Sequence, residues 1–250
     1  TDPDGNQVNY SKEMLQLYFQ NENPDFDLLF DSPEDGQTYV DKYKASILAN
    51  GSKVLAERVN FAPQPQSSMS VIDQHTGYVK ALIGGRGEKT ASLTLNRATD
   101  TTRQPGSTFK ILAAYSAALD AGGLTLASVQ DDAPYTYAGA NGKSVNNYDR
   151  RYRGFTTLRE AITDSINIVT VKTLAQAGVS LGWQYVQEYG FTTVDSRDMN
   201  EALALGGITQ GVSNLELTAA YAAIANQGTY IKPKFYTKIL DHDGNVLIDN

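Results

Sequence analysis

The chain has 250 residues, 41% of them hydrophobic and 20% charged, enough apolar material for a substantial core in one large domain or in one domain plus a smaller piece. Its net charge of −7 and lack of any basic run argue against sequence-independent nucleic-acid binding. There is no cysteine, which excludes disulfides, thiolate catalysis and cysteine-ligated zinc together, and no run approaches the roughly 18 apolar residues that cross a bilayer.

The opening TDPDGNQ reads as a cut or mature end, and residues 1–66 differ in character from the rest of the chain. Polar and acidic turns (NENPDFD, DSPEDG) lead into a predicted helix from about Glu34 to Leu48, with Ser32 as N-cap, Pro33 at its first position and Val40, Tyr43 and Ile47 as one apolar stripe. FAPQPQ, 61–66, reads as an extended linker into a main domain over 67–250. SSMSVIDQHTGYVKALIGG alternates apolar and polar residues around Gly77, which predicts a β-hairpin. Helices are predicted over 107–121, about 157–163, 168–176, 181–189 and 214–226, two of them opening with a capping box, Thr157 to Glu160 and Ser213 to Glu216. The end returns to strands around Asp243-Gly244. Strands, then helices, then strands imply an α+β domain, an antiparallel sheet flanked by helices.

The chemistry concentrates in RQPGSTFKIL, 103–112, where Ser107 and Lys110 sit three apart on one helix face. A serine hydroxyl attacks well only if a neighbouring base takes its proton. Lysine can be that base only when neutral, which requires burial to bring its pKa from about 10.4 to roughly 7 to 8. A helix start helps, because its dipole disfavours a further positive charge and its free N–H groups can hold an oxyanion. Taken alone, Ser-x-x-K is expected about once by chance in a chain of this composition, and a capping serine with a snorkelling lysine would explain it equally. The Pro-Gly approach and the apolar run after it favour the chemical reading.

Such an enzyme also needs a second hydroxyl to pass a proton to the leaving group and an amide to orient substrate. Ser-x-Asn supplies both, and it occurs at Ser144-Val145-Asn146, in the Gly-rich loop AGANGKSVNNYD, and at Ser165-Ile166-Asn167, between two predicted helices. The second, on a short anchored connection, is preferred. His75 and His242 sit in hairpin turns, badly placed for a triad or a metal. Asp241 to Asn245 lacks the glycine position and closing glutamate of a calcium loop, and IGGRG, 83–87, lacks the ending of a phosphate loop. The aromatic-rich YTYAGANGKSVNNYDRRYRG is either a packed loop or the lining of a sugar- or peptide-binding groove.

Across about 57–250, the segments PQPQSSMSVID, QHTGYVKALIGGR, LNRATDTTRQPGSTFK, NYDRRYRGFTTLREAITDSINI, LALGGITQGVSNLELTAAYAAIANQGTYIKP and KILDHDGNVL occur in the order found in one family. The sequence resembles the transpeptidase domain of class A (bifunctional) penicillin-binding proteins, whose motifs are S-x-x-K, S-x-N and K-T-G. The resemblance implies a penicillin-binding protein or serine β-lactamase-like fold and a peptidoglycan D,D-transpeptidase acting without cofactor or metal. It assigns Ser107 as nucleophile, Lys110 as proton acceptor, Ser165 as proton relay and Asn167 as substrate-binding amide. Stem peptides ending in D-Ala-D-Ala and β-lactam antibiotics are the implied partners. Alternatives sharing Ser107, Lys110 and Ser165 are a D,D-carboxypeptidase or serine β-lactamase, with water as acceptor, and a non-catalytic β-lactam sensor.

One departure stands out: no K-[ST]-G occurs, since Lys172-Thr173 is followed by leucine and Lys89-Thr90 by alanine. The chain is therefore expected to hold the first part of the domain, with the K-T-G segment supplied by a second polypeptide or a C-terminal segment. Residues 1–66 look like the connecting region that comes after a glycosyltransferase module, and the resemblance places the domain outside the cytoplasmic membrane, held by an upstream anchor.

Overall fold

The computed structural model describes residues 1–89, 91–138 and 143–250, and the chain divides into two compact units, Thr1–Gln64 and Pro65–Asn250. The first unit contains α1 (Lys12–Gln20) and α2 (Pro33–Leu48). Ser32 caps α2 as expected, its Oγ accepting from the Asp35 amide at 3.1 Å. α1 was not foreseen: its residues KEMLQLYFQ carry only a short apolar stripe, of which Leu15 and Phe19 are buried, and Ser11 caps it. The core of this unit is aromatic, Phe19, Phe26 and Tyr39 meeting with ring centroids 5.1 to 5.2 Å apart.

The second unit opens with the foreseen hairpin, β1 (Met69–Ile72) and β2 (Val79–Ile83), antiparallel around the Asp73–Gly77 turn. β3 (Thr102–Arg103) leads to a single helical rod: a 3-10 turn (Gly106–Thr108), a π segment (Ile111–Tyr115) and α3 (Ser116–Asp120). Next come β4 (Val129–Asp132), β5 (Tyr135–Thr136), β6 (Ser144–Val145) and β7 (Gly154–Thr157), then α4 (Leu158–Thr163), α5 (Asn167–Ala177) and α6 (Val179–Glu188). Two 3-10 turns, Ser196–Asp198 and Glu201–Leu205, precede β8 (Val212–Ser213), α7 (Asn214–Ala225) and the closing hairpin β9 (Lys238–Leu240) and β10 (Val246–Asp249).

The fold is α+β, with antiparallel strands and flanking helices, but the expected single sheet is replaced among the described residues by five two-stranded ones. Three of these pairs, β3–β8, β4–β7 and β5–β6, join segments whose short strands carry too little alternation to be read in sequence. Both predicted capping boxes form: Thr157 with Glu160, and Ser213 with Glu216. α7 packs on the first hairpin, where the Ser70 hydroxyl donates to Asn214 Oδ1 at 2.6 Å.

The rod 106–120 is the axis of the core. Leu112, Ala113, Ala114 and Tyr115 are four consecutive buried residues, which is possible only because α5, α6 and the 201–205 turn surround it. Phe109 packs against Phe191 with ring centroids 5.1 Å apart and the rings tilted by 59°, and Leu112, Ile168 and Leu174 are fully covered. Each such side chain contributes about 2 kcal/mol by leaving water.

Candidate active site

The approach to Ser107 is built by local geometry. Pro105 enters with φ −73° and Gly106 takes φ +58°, in the left-handed region that a β-carbon makes costly. The loop after the 201–205 turn closes over this bend: a β-carbon on Gly206 would lie 2.6 Å from both the N and the O of Gly106. β3 pairing with β8 brings these two glycine-containing segments together. The Thr108 hydroxyl donates to the Pro105 carbonyl at 2.7 Å and locks the turn. Ser107 is exposed at its apex, and among the described residues its hydroxyl has no hydrogen-bond partner.

Lys110 comes three residues later with 3% of its surface exposed. Its amine donates to Ser165 O at 2.6 Å, Ser165 Oγ at 2.9 Å and Asn167 Oδ1 at 2.6 Å. Burial pushes the ammonium down from its ordinary value of 10.5 to about 8. Directly after Lys110 the rod widens into the π segment, where the Ser116 amide and hydroxyl both donate to Ile111 O. One inserted residue turns the next face by about 100°, so the lysine and the core-facing residues beyond it need not share one helical register.

The triplet Ser165-Ile166-Asn167 spans the break between α4 and α5. Ser165 holds φ +54°, a left-handed conformation that costs a non-glycine residue about 1 to 3 kcal/mol and must be stabilised by its surroundings. Buried Ile166 anchors the bend, its amide donating to Ala161 O at 2.9 Å. The bend aims both oxygens of Ser165 at the lysine.

Three of the four residues named from the sequence, Lys110, Ser165 and Asn167, are thus in direct contact, and Ser107 stands at the head of the same rod. The other Ser-x-Asn triplet does not reach the lysine. Ser144 lies in β6, and Asn146 enters only through its backbone, its carbonyl accepting from Asn167 Nδ2 at 2.8 Å. Residues 139–142 of that Gly-rich loop lie outside the described residues, as does Thr90 of the Lys89-Thr90-Ala91 sequence. His75 turns its Nδ1 to Asn226 Oδ1, 3.1 Å away in a hairpin turn. His242 is exposed beside Asp243. Sequence reasoning did not find Gly206, whose only signal is the Gly-Gly pair in LALGGITQG, nor Asn147 and Asp132, which are buried behind Asn167.

The profile of the Penicillin binding protein transpeptidase domain matches residues 68–249. Penicillin-binding protein 1A of Clostridium tetani is 39% identical over 202 residues, covering 75% of this chain and 25% of that protein. Penicillin-binding protein 1F of Bacillus subtilis is 40% identical over 185 residues, covering 74% and 25%. The chain therefore spans about a quarter of the length of these curated relatives. Among solved structures, penicillin-binding protein 1A from Haemophilus influenzae superposes with a TM-score of 0.63 at 31% identity, over 74% of this chain and 27% of that one. The PonA1 protein from Mycobacterium tuberculosis in complex with penicillin V shares the fold, with a TM-score of 0.62 at 23% identity over 74% and 51%. With 68–249 matched and the fold shared, the chain belongs to the penicillin-binding protein transpeptidase family.

Proposed function

We propose that this chain contributes the serine, lysine and Ser-x-Asn triplet of a peptidoglycan D,D-transpeptidase, and that Ser107 forms the acyl-enzyme. The observation that carries this reading is a buried amine, held by oxygens of one Ser-x-Asn triplet, one helical turn from an exposed serine. The family supports a peptidoglycan transpeptidase, and the bound penicillin of the Mycobacterium tuberculosis relative is in keeping with a β-lactam competing for the same serine.

The geometry suggests how the amine works. As an ammonium, Lys110 gives one proton to each of its three acceptors. Ser165 O and Asn167 Oδ1 can only accept. A neutral amine keeps its two N–H groups on those oxygens and turns its lone pair toward a hydroxyl. That lone pair takes the Ser107 proton as Oγ attacks the carbonyl between the two terminal D-alanines of a stem peptide. Ser165 Oγ, already on the amine, passes its proton to the departing D-alanine nitrogen as the C–N bond breaks and takes from the amine the proton that came from Ser107, leaving Lys110 neutral again. The amine of a neighbouring stem then displaces Ser107 by the reverse proton movements, forming the cross-link. Asn167 holds the donor peptide, and the Ser107 amide supplies part of the oxyanion hole.

We infer further that a K-[ST]-G segment, not among these 250 residues, completes the site. Residues ahead of about 66 would connect the domain to the preceding part of the protein, and the domain would work outside the cytoplasmic membrane on an anchored protein. Denaturing intact-mass measurement after incubation with a penicillin tests the core of this reading. One adduct mapping to Ser107, absent in Ser107→Ala, is the expected result. No adduct in a sample that also contains the K-[ST]-G segment would overturn it. Rapid loss of the adduct with hydrolysed β-lactam, or release of D-alanine without cross-links, would make water the acceptor. Acylation without any peptide turnover would mark a sensor.

A further inference from the structure

Asn167 begins α5, and nothing on its own helix caps it: the N-cap residue is Ile166, whose side chain cannot accept a hydrogen bond. The missing acceptor comes from a distant segment. Asn147 Oδ1 accepts from the amides of Asn167, at 3.1 Å, and Ile168, at 3.2 Å. Its Nδ2 donates to Asp132 Oδ1 at 2.8 Å, to Asp132 Oδ2 at 3.0 Å and to Arg151 O at 2.8 Å. Asp132 is fully buried and Asn147 is 7% exposed, and Asp132 Oδ2 also accepts from the Arg153 amide at 2.9 Å. The neighbouring residue, Asn146, holds the other end of Asn167 through its carbonyl.

An amide suits position 147 because it must accept on one side and donate on the other. A carboxylate there would face Asp132 without a proton between them, and an apolar residue would leave two helix amides and one buried carboxylate short of partners. The consequence reaches the site, since the backbone and side chain of Asn167 are held at the same time, and its Oδ1 faces the Lys110 amine at 2.6 Å.

We propose that Asn147, backed by Asp132, is a positioning residue of the acyl-transfer site: it caps α5 from outside and thereby fixes Asn167 Oδ1 against the Lys110 amine. The proposal rests on the reading of Lys110 as proton acceptor. Its test therefore pairs acylation with a readout that does not need acylation, the NMR titration of the Lys110 Nζ-bearing carbon in the intact chain.

Asn147→Ala is expected to lower the second-order rate of acylation by a fluorescent penicillin about tenfold or more. It should also move the Lys110 titration to lower pH by about half a unit, because an acceptor that stabilises the ammonium is lost. Unchanged titration and rate in a folded Asn147→Ala chain, whatever its melting temperature, would reduce Asn147 to a structural cap and overturn the proposal. If that variant does not fold, the exchanged pair Asn147→Asp with Asp132→Asn decides. It returns an acceptor to the α5 amides, so Lys110 should titrate at or above the wild-type pH, and a lower titration overturns the proposal. If the wild-type chain titrates as expected but takes no penicillin even with the K-[ST]-G segment present, the Ser107 reading falls while the titrations still decide the role of Asn147.

Discussion

Lys110 carries the sharpest expectations at the level of single residues. Its ammonium titrates near 8 when folded and near its ordinary 10.5 when unfolded. Between these values the unfolded chain holds a proton that the folded chain has released, so folding stability rises with pH across this window. Below pH 8 both states are charged and the burial cost is fully present, about 3 kcal/mol. The stability of the wild type relative to Lys110→Met, followed by urea unfolding, should therefore rise by about that amount from pH 8 to 10.5. A flat difference would mean that the amine is not held neutral. If the neutral amine is the base, penicillin acylation should rise with pH through about 8 and then level off. Lys110→Arg should abolish acylation, because guanidinium stays protonated in this range.

At the level of elements, the site depends on segments that never meet in sequence. The bend that presents Ser107 is seated on the backbone of Gly206, which itself holds φ +72°. Gly206→Ala adds one methyl group at both a strained φ and a 2.6 Å approach to Gly106. Its expected stability cost is about 1 to 3 kcal/mol, with an acylation loss larger than unfolding alone explains, about tenfold or more. Thermal unfolding together with acylation rates at a temperature where the variant is fully folded would separate the two effects. A normal acylation rate in the folded variant would show that the Gly106 bend tolerates displacement. The π segment just after Lys110 belongs to the same scale, since it lets one rod carry a site residue and a fully enclosed core stretch in succession.

For the whole molecule, the two units differ in how they are held. Apart from Leu15 and Phe19, every buried hydrophobic residue described belongs to Pro65–Asn250. That unit also contains all four predicted site residues. A chain beginning at Pro65 is therefore expected to keep one cooperative unfolding transition and the acylation rate of the longer chain, as calorimetry and penicillin labelling would show. Residues 1–64 alone, resting on an aromatic cluster of a few rings, should melt broadly. Loss of the cooperative transition on removing 1–64 would show that the first unit stabilises the second.

Much of the architecture was legible because it is local. Ser32, Thr157 and Ser213 cap their helices through contacts three residues away, and the first and last hairpins arise from alternation around a glycine turn. Ser107 with Lys110, and Ser165 with Asn167, could be named because each pair lies within one helical turn of sequence. What joins the two pairs could not be read, because the Lys110 contacts span 55 and 57 residues. The clamp of Asn147 on α5 spans 20 and the Gly206 seat spans 100, and no periodicity encodes such distances. α1 escaped because its apolar stripe is short, and the pairs β3–β8 and β5–β6 because two residues cannot alternate. The sequence by itself determined which groups could do acyl-transfer chemistry and on which elements they ride. Tertiary packing alone decided that Lys110 is buried and its pKa lowered toward 8, because desolvation is a property of the elements that close around a side chain rather than of the side chain's neighbours in sequence.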